Sequence, residues 1–364
     1  MRVASVVLAG FVLGPGLLDL VHPDPRSELV TVVAVVALVT ILFRDGLEVE
    51  GEMLRRAWRP PLAKLVVGMP ITAAIVALAA HAIVGLDWTR SFLVGALLSP
   101  TDPVLSSSVV TNPRVPRVVR HSLNLESGLN DGLALAPVLA LAAALSTDTK
   151  DFTWWAFVLQ DVGLGVAFGV ACGWLASLLL PRDGGLPLLG LLVAAATWGV
   201  AVAPPHANAY LAVFVCAIVL GVRRTDHGEA FARAAAPFVA VAKYAVFALF
   251  GTLLTLGGLF EDGWAAVGLV AATLLVARPV AVLVALAGTR LTASARLFMA
   301  WFGPKAVATM AYSFLLLGRS IPGDERIFHL AALAVVVSIV VHGATDRPGA
   351  EWMARRPALR AARD

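Results

Sequence analysis

Apolar residues fill this chain in about twelve long runs, at 3–20, 28–43, 62–85, 90–110, 122–146, 153–180, 186–203, 207–222, 236–256, 264–287, 296–317 and 327–343. Most are near the roughly 17–25 residues that a helix needs to cross a bilayer. A water-soluble domain of 364 residues cannot hide a composition of 59% hydrophobic and only 14% charged residues. The pattern therefore predicts an all-α, polytopic membrane protein. The runs at 62–85 and 153–180 are long for one span, which predicts tilt or extension beyond the bilayer.

Charge sets the orientation. The formal net charge of +4 does not point to nucleic acid, because the basic residues lie in short loops between apolar runs. With the C-terminal end in the cytoplasm, the inner loops hold Arg44, Arg55, Arg56, Arg59 and Lys64, then Arg114, Arg117 and Arg120, with others further on. They carry about four times as many basic residues as the outer loops, the bias expected of a cytoplasmic face. A multi-pass protein of the plasma membrane is predicted, ending in a short basic cytoplasmic tail over 346–364. Several of the nine tryptophans (Trp58, Trp88, Trp154, Trp155, Trp264) fall near run ends, as in an interfacial belt. Cys172 and Cys216 sit in apolar runs without partner spacing, so they support neither a metal site nor a disulfide framework.

Two runs are broken, and in opposite directions. The fourth is interrupted at Ser99-Pro100-Thr101-Asp102-Pro103 and the eleventh at Trp301-Phe302-Gly303-Pro304-Lys305. Paired broken helices of opposite orientation are the mark of an inverted-repeat secondary transporter. Aligning the breaks pairs the first five runs with the last five. The predicted division is a first repeat over 1–146, a linker helix over 153–180 and a second repeat over 186–343. On that scheme the run at 186–203 opens the second repeat and has no counterpart, so the first repeat is predicted to start one helix late.

The chemistry lies in carboxylates placed within hydrocarbon. A charged Asp at the centre of a membrane helix costs about 2.5–3.5 kcal/mol on insertion scales, so such residues are rare and functional by default. In the first break, Pro100 and Pro103 remove backbone donors and free carbonyl oxygens. Thr101 and Asp102 add a hydroxyl and a carboxylate beside them, a set of oxygens suited to a hard monovalent cation. Asp102 acts there as ligand, as attracting charge or as a cap on the broken helix end. The next run carries Glu126, Ser127, Asn130 and Asp131, whose four-residue spacings place them on adjoining stripes of one helix face. Burial disfavours the charged form of a carboxylate, so Asp131 is placed to trade a proton for a cation. The alternative is a buried acid neutralised by a helix-to-helix hydrogen bond.

Arg278, deep in the tenth run, needs an anionic partner, and Glu126 is the candidate. Lys305, at the second break, either offsets the negative ends of the half-helices or neutralises Asp102 in the empty site. Lys243 is expected to snorkel to the interface. His81, His121, His206 and His329, near run ends, read as satisfied or solvated. Ser106, Ser107 and Ser108 either line the lower half of the broken run or bond to preceding carbonyls.

At these residues the chain resembles the cation:proton antiporters of the NhaP and eukaryotic sodium/proton exchanger type. The likeness runs from Leu13-Gly14-Pro15 and the Phe43 to Leu47 region through Thr101-Asp102-Pro103 and Glu126-Ser127-x-x-Asn130-Asp131. It continues through Ala277-Arg278-Pro279 and Gly303-x-Lys305 to His342-Gly343-Ala344-Thr345. The resemblance implies thirteen helices in a dimerisation bundle and a mobile core, two crossing broken helices, and a homodimer. It implies that Asp131 binds cation and proton alternately and that Asn130 marks the electroneutral branch. It further implies that Thr101, Asp102 and Ser127 help hold the ion and that Glu126 and Arg278 form a structural ion pair. Many such proteins carry an acidic residue directly after the Phe of the second run; here Arg44 stands there, followed by Asp45.

The expected activity is exchange of Na+ or K+ for H+ across the membrane, electroneutral and 1:1, by competition at Asp131. No cofactor or transition metal is called for; the partners are monovalent cations, protons and lipid. The rival readings are a truncated, non-transporting relative, or a symporter or channel on a similar scaffold. An intramembrane aspartyl protease fits less well, since Gly128-Leu129-Asn130 precedes Asp131 where those enzymes carry Gly-x-Gly-Asp.

Overall fold

In hydrocarbon every backbone N–H and C=O must be satisfied within the chain, and this chain does so with helices. The computed structural model describes residues 2–49, 59–102, 107–147, 152–180, 189–203 and 207–359. Arg55, Arg56, Trp58, Pro103, Ser106 and His206, singled out above, lie outside the described residues.

Among the described residues each apolar run overlaps a helix or a pair of half-helices, the first only as far as Leu13. The order begins α1 (Arg2–Leu13), α2 (Glu28–Leu47), α3 (Arg59–Val84), α4 (Trp88–Leu97), α5 (Ser107–Thr111), α6 (Arg117–Leu145) and α7 (Trp154–Leu179). It continues α8 (Leu189–Val202), α9 (Ala209–Arg223), α10 (Thr225–Thr252), α11 (Gly263–Ala285), α12 (Ala293–Trp301), α13 (Val307–Leu317) and α14 (Asp324–Ala354). Among the described residues, seven helices are long and apolar enough to cross a membrane, and four apolar helices are shorter. The breaks separate α4 from α5 and α12 from α13, as the prolines and Gly303 predict.

Helices α3 and α11, which the repeat alignment pairs, share a local irregularity. In α3 a π-helical turn covers Lys64–Gly68 just ahead of Pro70, and in α11 one covers Ala272–Ala277 just ahead of Pro279. A proline withholds an N–H from the helix before it, and a widened turn absorbs the mismatch. The wide turns leave Lys64 and Arg278 adjoining them, and both side chains reach the same acid.

Small residues let α7 and α9 pack closely. Gly169 and Gly173 of α7 lie against α9 so closely that a Cβ on either would fall 2.6 Å from the Ala212 carbonyl oxygen or 2.5 Å from that of Cys216. Four-residue spacing of small side chains lets two backbones approach in lipid, where packing rather than water drives association.

The basic tail expected over 346–364 begins within a helix. Helix α14 continues unbroken through Pro348 to Ala354. Ala350 and Met353 join Phe298, Phe302 and Val109 in a buried cluster at that end. Asp346 accepts the backbone N–H groups of Ser108 and Val109, at 3.1 and 3.2 Å. Asp346, at the start of the expected basic tail, thus caps α5.

Candidate cation site

The site grows from the ends of the half-helices. A helix leaves its last carbonyls without intrahelical donors, and in a buried site something else must supply them. At the end of α4, Thr309 Oγ1 donates to the Leu97 carbonyl at 3.0 Å. Lys305 Nζ donates to the carbonyls of Ser99 and Pro100 at 3.2 and 3.1 Å. At the end of α12, Arg278 Nη2 donates to the carbonyls of Met299 and Phe302 at 3.3 and 3.1 Å. The two breaks touch directly, since the Asp102 N–H donates to the Pro304 carbonyl at 2.9 Å. The broken helices therefore cross.

Of the two roles open to Lys305, the structure shows the first: its ammonium sits on the negative end of a half-helix. The ammonium within 4 Å of Asp102 is that of Lys243, with Nζ 3.9 Å from Oδ1. Lys243 does not snorkel. It is buried, because α10 begins at Thr225, well before the apolar run, and so places Lys243 deep in the helix.

Thr101, Ser127, Asn130 and Asp131 come together around the first break. Ser127 Oγ donates to the Thr101 carbonyl at 2.7 Å, and Asn130 Nδ2 donates to Thr101 Oγ1 at 2.8 Å. The Tyr312 hydroxyl donates to the main-chain carbonyl of Asp131. All of these side chains are buried. Two acceptors there have no donor: Asn130 Oδ1 and Asp131 Oδ1. A buried acceptor left unpaired costs about 1–3 kcal/mol, so two on adjacent residues call for a ligand that donates charge or a proton.

Glu126 has the opposite surroundings. Arg278 Nη1 donates to its Oε1 at 2.9 Å, and Lys64 Nζ reaches its Oε2 at 2.5 Å. Lys64 also donates to the Ser122 carbonyl at 3.0 Å. The sequence reading paired Glu126 with Arg278 alone and left Lys64 in a loop. The overlooked signal was its place in Leu62-Ala63-Lys64-Leu65-Val66, where an ammonium amid apolar neighbours needs a partner.

Asp45 was not proposed for the site. Its side chain is buried 3.5 Å from Arg44 Nη1, while Arg44 turns towards Glu48, 2.5 Å away. Asp45 and Asp102 are the neighbouring carboxylates of Asp131, and Lys243 and Lys305 are its neighbouring cations. His342, in the final His-Gly-Ala-Thr string, fastens the second break. Lys305 N–H donates to Ser338 Oγ at 2.8 Å, and Ser338 Oγ lies 3.1 Å from His342 Nδ1. The other ring nitrogen, Nε2, lies 3.1 Å from the Trp301 carbonyl. Nδ1 also lies 3.0 Å from the Ser338 carbonyl, so the ring is held on both sides. His81 Nδ1 contacts the Leu86 carbonyl at 2.7 Å and His329 contacts Glu261 at 3.0 Å, which leaves both satisfied near helix ends. His121 Nε2 is buried without a partner.

Comparison with known proteins gives concordant findings. The sequence pattern of the family described as "Sodium/hydrogen exchanger, transmembrane" matches residues 3–352. The K(+)/H(+) antiporter NhaP of Alkalimonas amylolytica is 27% identical over 325 residues, covering 87% of this chain and 56% of that protein. The K(+)/H(+) antiporter NhaP2 of Shewanella baltica is 28% identical over 322 residues, covering 85% and 55%. The chain thus spans about half the length of the curated relatives it matches. Among solved structures, the sodium proton antiporter MjNhaP1 of Methanocaldococcus jannaschii at pH 8 superposes with a TM-score of 0.85 at 16% identity. That match covers 97% of this chain and 92% of the other, and it shows the shared fold.

Proposed function

The chain belongs to the sodium/hydrogen exchanger family, and from that premise we propose that it exchanges one alkali cation, sodium or potassium, for one proton at Asp131. The observation that carries the proposal is the pair of buried, donor-less oxygens Asn130 Oδ1 and Asp131 Oδ1 beside Thr101. A monovalent cation takes oxygen ligands, and a proton on Asp131 turns one acceptor into a donor. Either occupant satisfies the site, and each excludes the other.

Charge accounts for the ratio. Glu126 is held by Lys64 and Arg278, and Asp102 and Asp45 each face a cation within 4.0 Å. Asp131 is left as the group whose charge changes hands. One charge exchanged for one charge moves no net current. The crossing helices then carry the site between the two faces of the membrane as one body, the alternating access of inverted-repeat transporters. A cavity of about 500 Å³ lined by Gln160, Asp161, Asn208, Tyr210 and Arg319 reaches Leu139 of α6, which supports water access from the outer side. The chain works in the plasma membrane, as a homodimer, with its C-terminal end in the cytoplasm.

The test is exchange in proteoliposomes bearing an internal pH dye. A cation pulse drives proton release with Na+ or K+, and the ion giving the higher kcat/KM is the physiological one. Asp131→Asn abolishes the signal. Wild-type rates in that variant, or cation uptake without proton counterflow, would refute the proposal.

A further inference from the structure

Five charged side chains from four parts of the fold meet around the site. Helix α2 gives Arg44 and Asp45, the first break gives Asp102, α6 gives Asp131 and α10 gives Lys243. Arg44 is shared with Glu48, 2.5 Å away, which leaves the acids of this group in excess of the cations beside them. Lys305 stands next to the group with its ammonium on the Ser99 and Pro100 carbonyls. Glu126 is set apart, paired with Lys64 and Arg278.

Lys243 is the unusual member. It is 8% exposed, and its Nζ stands 3.9 Å from Asp102 Oδ1, too far for a hydrogen bond. Charge alone holds it, on a flexible four-carbon stem that can swing. Arg44, by contrast, is fixed by Glu48 at 2.5 Å.

We propose that Lys243 is a resident counter-ion of the cation site, lying over Asp102 when the site is empty and moving aside when an alkali cation enters. It thereby sets the affinity for the transported ion. The inference rests on the exchange reading above and adds a residue that weakens binding, so that a loaded ion can leave. An ion entering a site crowded by an ammonium must work against its repulsion, and removing the ammonium strengthens the ion's hold.

The test compares wild type, Lys243→Met and Lys243→Arg in proteoliposomes, with rates measured against cation concentration at fixed pH. Lys243→Met lowers the apparent KM for the cation by about tenfold, a change in binding free energy of one decade. Lys243→Arg, which keeps the charge, stays within about twofold of wild type. Na+ binding to the detergent-solubilised protein, followed as proton release by calorimetry, reports the same shift if turnover is lost. A merely structural lysine lowers Vmax or the melting temperature and leaves KM and binding unmoved; that result overturns the inference alone. A wild type that neither exchanges nor binds alkali cations overturns the exchange reading and this inference together.

Discussion

The backbone N–H of Asp102 donates to the carbonyl of Pro304 across 2.9 Å, joining the first break to the second. The two residues are far apart in sequence, yet each supplies what the other's broken helix lacks. Thr309 and Lys305 repeat the arrangement on the carbonyls of Leu97, Ser99 and Pro100. The backbone of the first break is thus positioned by the second. A movement of either half-helix alone would strand buried polar groups, which is the physical reason for the crossing to move as a unit.

The acid at the centre of the scaffold is Glu126, and its replacement tests how the fold tolerates buried charge. Glu126→Gln leaves Lys64 and Arg278 in an apolar site with an amide oxygen between them. Breaking a buried pair from one side costs about 3–5 kcal/mol. Lys64→Met removes the surplus cation, leaves the Glu126–Arg278 pair intact and costs less. Arg278→Met lies between, since it also strips the donors from Met299 and Phe302. Melting temperatures in one detergent should fall in that order; a Lys64→Met protein less stable than Glu126→Gln would contradict it.

Gly303 is required for space rather than for backbone freedom. A Cβ there would lie 1.7 Å from Arg278 Nε and 1.9 Å from its Cζ. The guanidinium cannot retreat without losing Glu126, Met299 and Phe302 together. Gly303→Ala should therefore abolish exchange and lower the melting temperature about as much as Arg278→Met. The double variant should be little worse than Arg278→Met alone, because the clash disappears with the side chain. Additive losses in this double-mutant cycle would show that the alanine acts elsewhere.

The helices and the crossing were legible in the sequence because lipid imposes one rule on every segment. Apolar length marks the spans, and a proline or glycine inside a span marks a break. The Asn130-Asp131 string was legible for the same reason, as polarity where hydrocarbon is expected. Lys64 and Lys243 were not. A lone lysine near the end of an apolar run reads identically whether it snorkels or turns inward, and helix packing decides between them. Asp45 shows the limit from another side. Moving an acid one residue along a helix rotates it by about 100°, which argues against its sharing a neighbour's site. In this chain Arg44 turns to Glu48 and the shifted carboxylate is the one that is buried. The extension of α14 escaped because Asp346 and Arg347 look like a tail until the backbone of Ser108 and Val109 is placed beside them.

Asn130 stands beside Asp131, where an acid would add a second charge. Its Nδ2 is committed to Thr101 Oγ1 and its Oδ1 has no donor. In Asn130→Asp the Thr101 hydroxyl can reverse to donate, so the geometry survives while a second carboxylate enters beside Asp131. Two adjacent carboxylates resist simultaneous ionisation and load an extra proton. Exchange by the variant should then respond to a membrane potential imposed with valinomycin and a potassium gradient, using sodium as the driven ion. Wild-type exchange should not respond. A voltage-sensitive wild type would rule out the 1:1 ratio.

Competition at a single carboxylate fixes the pH dependence of exchange. If proton and cation share Asp131, acid does not slow the transporter directly; it raises the concentration of cation needed to displace the proton. With one proton per site, the apparent KM for the cation should rise by about tenfold for each pH unit lowered on the acid limb, because binding is linked to one titrating group. The rate at saturating cation should stay nearly constant across the same range. A steeper slope would mean that Asp102 or Asp45 takes up a second proton in the cycle. A flat KM with a falling maximal rate would mean that protons act on the protein at a distance from the ion, and that Asp131 is not where the two substrates meet.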